Sequence, residues 1–286
     1  MSRNRNAGRT LFITGCSSGI GYCVAHGLKA DGYRVIASAR KAADVDRLQG
    51  EGLECLLLDL DQPASIQQAV TELADLSGRK IYGLFNNAGF GQPGAVEDLT
   101  RDVLRAQFET NVFGTMELTN RILPWMREAG EGRIIQNSSL LGFVSLAYRG
   151  AYNASKYALE GLYDTLRLEL AGTDIYAVLI EPGPIESRFR ANAFAAYKKN
   201  IDIERSAHRE NYLAIEKRLL KEGPAAPFTL PPEAVLDKVI NALESRTPRP
   251  RYYVTFPTWL FGSLKRILSS GALDRILLKV SKGEQK

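Results

Sequence analysis

Short apolar, β-branched runs alternate with longer stretches of helical periodicity along almost the whole of this chain. The runs fall at residues 11–14, 34–38, 53–58, 81–86, 133–138, 175–181 and 252–255. The helical stretches between them fall at 19–30, 63–76, 101–128, 152–171 and 232–243. Most of the runs lack strict apolar/polar alternation, so both faces of each strand are expected to be buried. Strands of that kind separated by helices imply an α/β fold: a doubly wound, Rossmann-type, mostly parallel seven-stranded sheet with helices on both faces. A sheet wound in this way binds its ligand beyond the carboxyl ends of its strands, where the strand order reverses. The chemistry is therefore expected in the residues just after strands.

The chain has 286 residues, 45% of them hydrophobic and 24% charged, enough for a large core in one unit. A net charge of +5 with no basic block argues against a nucleic-acid partner. Cys16, Cys23 and Cys55 have no metal-ligand spacing and read as thiols in a reducing compartment, so no metal site is expected. The basic start is followed only by Leu11-Phe12-Ile13, too short for an export segment, and no run approaches the ~18 apolar residues of a membrane span. A cytoplasmic location is the expectation. Residues 8–256 are expected to form one domain. Within it, 186–231 lacks any strand signal, scatters aromatics among charges and reads as a small, partly helical lid. Residues 257–286 form a separate tail.

The first strand runs into Thr14-Gly15-Cys16-Ser17-Ser18-Gly19-Ile20-Gly21, which opens the first helix. Gly15 permits the sharp exit, Gly19 a close backbone approach to a pyrophosphate, and Gly21 the packing of helix on sheet. The helix start offers free N–H groups and a positive dipole end to phosphates. Ser17, Ser18 and Ile20 belong to the same contact. The spacing is Gly-x3-Gly-x-Gly rather than the commoner dinucleotide Gly-x-Gly-x2-Gly. The second strand ends in Ala39-Arg40-Lys41, with no acid to accept from a ribose 2′-hydroxyl. Arg40 instead suits a 2′-phosphate, so NADP(H) is the expected cofactor. Asp59, with Leu60 beside it, ends the third strand where an adenine amino group would need an acceptor.

Tyr152 and Lys156 stand four apart and share one helix face. Carbonyl reduction needs a proton donor for the developing alkoxide. A phenol needs a neighbouring ammonium to lower its pKa if it is to work in both directions near neutrality. Strand five ends in Asn137-Ser138-Ser139, whose last hydroxyl is available to orient the substrate oxygen. Strand four ends in Asn86-Asn87-Ala88-Gly89, small enough to admit the cofactor. Asn111 falls within the long 101–128 helix. Strand six ends in Glu181-Pro182-Gly183-Pro184-Ile185-Glu186-Ser187, a turn that presents backbone and a hydroxyl to a nicotinamide amide.

Together these motifs resemble the short-chain dehydrogenase/reductase family from Thr10 to about Ser245. The resemblance implies that Tyr152 is the acid/base, Lys156 its pKa partner and ribose anchor, and Ser139 the carbonyl orienter. It also implies that Asn111 holds a water linking Lys156 to solvent. Ser187 stands where the family usually has threonine; the hydroxyl is kept. More narrowly, the turn, Phe85-Asn86-Asn87-Ala88-Gly89-Phe90-Gly91 and Ile180-Glu181-Pro182-Gly183-Pro184-Ile185 resemble bacterial NADP-dependent aldehyde reductases and hydroxysteroid and retinol dehydrogenases. The expected substrate is an apolar aldehyde or ketone, or the matching alcohol, because the pocket candidates Phe90, Leu140, Leu141, Phe143, Tyr148 and Phe189 are apolar. Two other functions compete. A 3-ketoacyl reductase would use Arg188, Arg190, Lys198 and Lys199 to meet an acyl carrier. A nucleotide-sensing regulator without chemistry should have lost Tyr152 or Lys156, and both are present. A homo-oligomer is expected. The tail reads as two amphipathic helices with basic flanks, broken at Ser269-Ser270-Gly271, whose apolar stripes need the protein body, a partner subunit or a membrane surface.

Overall fold

The computed structural model describes residues 8–221, 223 and 226–283. The last three tail residues, three positions of the expected lid and the basic start lie outside them. Seven strands form one sheet: β1 (Thr10–Ile13), β2 (Arg34–Ala39), β3 (Glu54–Leu57), β4 (Gly83–Asn86), β5 (Glu131–Asn137), β6 (Asp174–Glu181) and β7 (Arg251–Tyr253). Their order is β3-β2-β1-β4-β5-β6-β7, and every pairing is parallel. The chain winds outward from β1 to β3, then returns to the other side of β1 at β4. The order therefore reverses between β1 and β4, which is where the glycine turn leaves the sheet.

Period-two side-chain alternation feeds two cores at once. Leu11 and Ile13 of β1 face α1 (Gly19–Ala30) and α9 (Glu233–Glu244), packing with Val24, Leu28, Val235 and Val239. Phe12 between them is fully buried on the opposite face, among residues of α3 (Pro63–Ser77), α5 (Thr115–Ala129) and α6 (Gly150–Glu169). This double burial is why the strands carry no polar alternation.

Two elements differ from expectation. Residues Ala42–Gly50 form a helix, α2, whose only fully buried side chain is Leu48; so narrow an apolar stripe leaves little periodicity to detect. The 101–128 stretch is not one regular helix. It runs as α4 (Arg101–Phe108), a π-helical turn (Glu109–Gly114) and α5. Gly114 explains why the turn fits: a Cβ there would lie 1.9 Å from the carbonyl oxygen of Leu60.

The 186–231 segment carries α7 (Phe189–Asn200) and α8 (Arg209–Leu220). Tyr197 and Tyr212 are fully buried there, in an apolar cluster completed by Ala95, Leu99 and Ala151 of the body. So short a segment has no core of its own and borrows one. The tail forms α10 (Phe256–Ile267) and α11 (Ser270–Gly283), broken at Ser269 as the sequence suggests. Phe261, Leu273 and Leu277 pack onto Leu140, Leu141 and Val144, so the described tail lies on the protein's own body.

Candidate active site

Beyond the carboxyl end of β1, Gly15 and Gly19 take left-handed backbone, φ +73° and +57°, which side chains rarely adopt. Each glycine is also crowded. A Cβ on Gly15 would lie 2.8 Å from Ala88 Cα, on Gly19 2.8 Å from Ser187 Cβ, and on Gly21 2.3 Å from the carbonyl oxygen of Gly15. The glycine turn, the β4 exit and the turn after β6 thus meet at backbone distance. Ser18 is the N-cap of α1 but makes no side-chain capping bond, which leaves the first N–H groups for another acceptor. Ile20 packs against the core beneath. Arg47 of α2 donates to the carbonyl of Ser17 at 2.8 Å and pairs with Glu51 at 2.8 Å, holding the turn from outside.

The β4 exit is tied to this turn by two residues that sequence reasoning did not single out. The Thr14 hydroxyl accepts from the N–H groups of Asn87 and Ala88, both at 3.0 Å. Asn87 Nδ2 donates back to the carbonyls of Thr14 and Gly15 at 3.0 and 3.2 Å. Asn86 points the other way. Its amide donates to Thr119 and Tyr163, both at 2.8 Å, so its side chain belongs to the layer of α5 and α6. Gly89 is exposed at the mouth, and a Cβ there would meet Asn111 Oδ1 at 3.1 Å.

At the adenosine end, Ala39 is buried and Arg40 exposed. Among the described residues Arg40 makes no ion pair or hydrogen bond. Asp59 Oδ1 accepts from Asp61 N–H at 3.1 Å, closing a local turn, and Leu60 is buried behind it.

Tyr152 and Lys156 project from one face of α6. The phenol hydrogen-bonds Ser139, which stands just past β5, and the Ser139 oxygen also accepts from Leu141 N–H at 3.1 Å. Burial pushes the phenol up to about 12, while Ser139 and the charge of Arg149 pull it down. Burial draws the Lys156 ammonium down to about 8, opposed by the Glu160 carboxylate. The expected lowering of the phenol by Lys156 is therefore not the outcome here. Lys156 Nζ lies 5.7 Å from the Tyr152 ring centroid and donates to the Asn137 carbonyl at 2.7 Å. Desolvation dominates both groups.

Asn111 sits in the π-helical turn, 1% exposed. Its amide donates to Phe90 O at 3.0 Å and Ser155 Oγ at 3.2 Å, and its Oδ1 accepts from Phe90 N–H at 3.1 Å. The side chain thus fixes the Phe90 loop beside the site. Such π turns recur at functional positions because they re-aim a residue that a regular helix would turn away.

After β6, Pro182 O accepts from Leu140 N–H at 2.8 Å. Gly183 has no room for a side chain: a Cβ would lie 2.1 Å from Thr255 Oγ1. Ile185 bridges to Leu230, and Ser187 accepts from Phe189 N–H at 3.3 Å. Phe189 then stands edge-on over the Tyr152 ring, centroids 5.2 Å apart. Tyr152 packs, as do Phe143, Leu146 and the tail's Leu264, Ile276 and Val280, against one buried apolar cluster that includes Leu140, Leu141 and the tail's Phe261. The apolar surroundings of Tyr152 are therefore Phe189 of the 186–231 segment and a cluster to which the tail contributes.

These residues fit a nicotinamide dinucleotide. The glycine turn has backbone but no side chains at its tightest points, the α1 start is uncapped, and Asn137 Oδ1 is buried without a donor among the described residues. No group of acidic, histidine or cysteine side chains suited to a metal occurs among them.

Comparison with known proteins agrees with this geometry. The family model for short chain dehydrogenase matches residues 9–198. The oxidoreductase YbbO of Escherichia coli strain K12 is 44% identical over 269 residues, covering 94% of each chain. The NADPH-dependent 3-dehydrocapnine reductase of Ornithobacterium rhinotracheale is 31% identical, over 95% of this chain and 96% of that protein. The crystal structure of a short-chain dehydrogenase from Streptomyces avermitilis superposes with a TM-score of 0.76 at 29% identity, over 96% and 98% of the two chains.

Proposed function

The chain belongs to the short chain dehydrogenase family and is an oxidoreductase of that kind; from that premise we propose that it uses NADPH to reduce an apolar aldehyde or ketone. The observation that carries the reading is the meeting of Tyr152, Ser139 and Lys156 beside an uncapped glycine turn, under apolar walls. The backbone of Ser17–21, the β4 exit and the Pro182-Gly183 turn would hold the dinucleotide, with Lys156 and the Asn137 amide oxygen facing its ribose and nicotinamide end. When bound, the cofactor supplies a hydride to the carbonyl carbon. Ser139 donates to the carbonyl oxygen and fixes its direction. Tyr152 gives its proton to that oxygen as negative charge develops, a contribution of ~100- to 10,000-fold. A phenol held near 12 is protonated throughout the neutral range. It is thus ready as an acid for reduction, whereas alcohol oxidation needs the phenolate and is favoured only as pH rises.

Arg40 supports the choice of NADP(H). A guanidinium with no partner among the described residues, just past β2, offers a bidentate site to a 2′-phosphate. The similarity to an NADPH-dependent reductase is consistent with that choice. The 3-ketoacyl reading is weaker: Arg190 donates to Gly223 O at 2.8 Å and Lys198 lies 3.4 Å from Glu216, so two of the four basic residues it calls on are engaged within the protein.

The tail adds a second part to the reading. Phe256, Trp259, Leu260 and Ile267 are exposed along one stripe of α10, while Phe261 and Leu264 pack into the cluster with Leu140, Leu141 and Val144. Phe228 lies beside Phe256 with ring centroids 5.0 Å apart. Arg266 of α10 and Lys279 and Lys282 of α11 are exposed, and Asp274 is the sole acid of the described tail. An exposed apolar stripe on a cationic tail suits peripheral contact with an anionic lipid surface. No helix among the described residues is long and apolar enough to cross a membrane. Cytoplasmic, homo-oligomeric protein is the remainder of the reading. A panel of apolar aldehydes and ketones, offered with NADPH or NADH and followed by cofactor absorbance, tests the whole: consumption of NADPH with at least one class supports it, and none with any carbonyl removes it.

A further inference from the structure

Behind the catalytic residues lies a group of acids that the hydride chemistry does not use. Glu181, the last residue of β6, is fully buried, and Glu160, one turn beyond Lys156 on α6, is 7% exposed. Ser138, the neighbour of Ser139, donates a short hydrogen bond to Glu160 Oε1. Arg251 of β7 is the cation that reaches the group. Its Nη2 donates to Glu160 Oε2 at 3.2 Å and to Asp164 Oδ2 at 2.6 Å, and its Nε lies 3.0 Å from Glu181 Oε1 without hydrogen-bond geometry. Both Glu181 oxygens are buried, and besides Arg251 the group within hydrogen-bonding reach of this carboxyl is that of Glu160.

Charge counting decides the state. Asp164 is also paired with Arg167 at 2.8 Å, and its carboxyl is held low. Arg251 is then left to serve two buried carboxyls in mutual contact. Two carboxylates cannot share such a site ionised, and two acceptors cannot bond unless one carries a hydrogen. The other charged or titratable groups facing the pair are Lys156 and Asp164 on α6 and Tyr253 on β7.

We propose that Glu160 and Glu181 hold a single proton between them, and that this pair, clamped by Arg251, is the positioning element that sets Ser139, Lys156 and the Pro182-Gly183 turn relative to one another. It touches each of the three directly by sequence: Glu181 precedes Pro182, Ser138 precedes Ser139, and Glu160 follows Lys156 by one helical turn. The remaining negative charge of the pair faces Lys156 and supports its ammonium. Burial and the Glu160 carboxylate push the Glu181 carboxyl up to about 9. The folded protein therefore binds one more proton than the unfolded chain between the ordinary carboxylate range and that value. Its stability should fall as pH rises through this window and level off above it.

The test uses the whole protein with three substitutions, Glu181→Gln, Glu181→Ala and Glu160→Gln. Infrared difference spectroscopy at neutral pH should show a protonated-carboxyl band in the wild type that Glu181→Gln or Glu160→Gln removes. Glu181→Gln should also flatten the decline of stability with pH. These two readouts do not depend on the enzymatic reading. In the activity arm, which rests on it, Glu181→Ala should lower kcat roughly tenfold through the lost buried bond, Glu181→Gln should restore most of it, and the alkaline decline of kcat should shift in Glu181→Gln. Lys156 titrates in a neighbouring range, so the comparison between variants carries the assignment. A neutral-pH spectrum without that band, or stability and kcat profiles identical in wild type and Glu181→Gln, would overturn the proposal. A band lost in the variants with no turnover in any protein would leave the pair standing and remove only the reductase.

Discussion

Arg40 follows β2 directly, beside the buried Ala39, at a position where an acid would select for a free 2′-hydroxyl. A charge-assisted, bidentate contact contributes roughly 1.5–3 kcal/mol, or about 10–150-fold in affinity. Arg40→Ala should therefore weaken NADP(H) by about that factor and leave NAD(H) nearly unchanged, as measured by cofactor fluorescence titration. An equal loss for both cofactors would take Arg40 out of this role. The candidate site residues stood out in the sequence because the chemistry proposed for them depends on spacing and residue type: Tyr152 to Lys156, Ser139 after a strand, glycines at a helix start. Thr14, Asn87 and Arg47 were not. Thr14 finds its partners at Asn87 and Ala88, and Arg47 finds Ser17, so their roles exist only once distant strands and helices are brought together. Asn86 shows the reverse. Its motif marked it for the site, yet strand alternation turns its side chain into the core, leaving only its backbone near the cleft.

Among the elements, strands were the easiest to read, because burial on both faces compels unbroken apolar runs. Helix α2 was hidden by its thin apolar stripe, and the π-helical turn by a periodicity that one extra residue barely disturbs. The 186–231 segment was recognised by its lack of strands, but its attachment was not legible. That attachment is polar as well as apolar: Asp98 accepts from Ser206 and from the Tyr212 hydroxyl, both at 2.6 Å. We expect α8, fixed by these bonds, to exchange amide hydrogens slowly with or without ligand. Helix α7, which carries Phe189 over Tyr152, should gain protection when NADPH and substrate analogue bind together. Exchange in α7 that ignores both ligands would count against a lid at this position.

For the molecule as a whole, the sheet and its switch point followed from the order of runs along the chain. The destination of the tail did not, because an amphipathic stripe declares that it needs a partner without saying which. Here the inner stripe packs on Leu140, Leu141 and Val144, so the tail helices cover that part of the body on one side and face solvent on the other. Burying a side chain such as Phe261, Leu273 or Leu277 contributes roughly 1.5–3 kcal/mol each. Removing residues 257–286 should leave cofactor binding in place, expose the 140–144 surface and lower solubility. In sedimentation with anionic vesicles, the full chain should pellet and both the truncated chain and a Trp259→Ser/Ile267→Ser variant should stay in solution. Equal partitioning of all three would remove the membrane contact.

The central claim is that Tyr152 delivers the proton in an NADPH-dependent carbonyl reduction, and Tyr152→Phe tests it most directly, because it deletes one oxygen and leaves the ring against Phe189. With a carbonyl compound that the wild type reduces, NADPH binding and turnover should be measured on both proteins. NADPH binding should be unchanged in Tyr152→Phe and turnover reduced by ~100-fold or more. Turnover near the wild-type rate in Tyr152→Phe would contradict it.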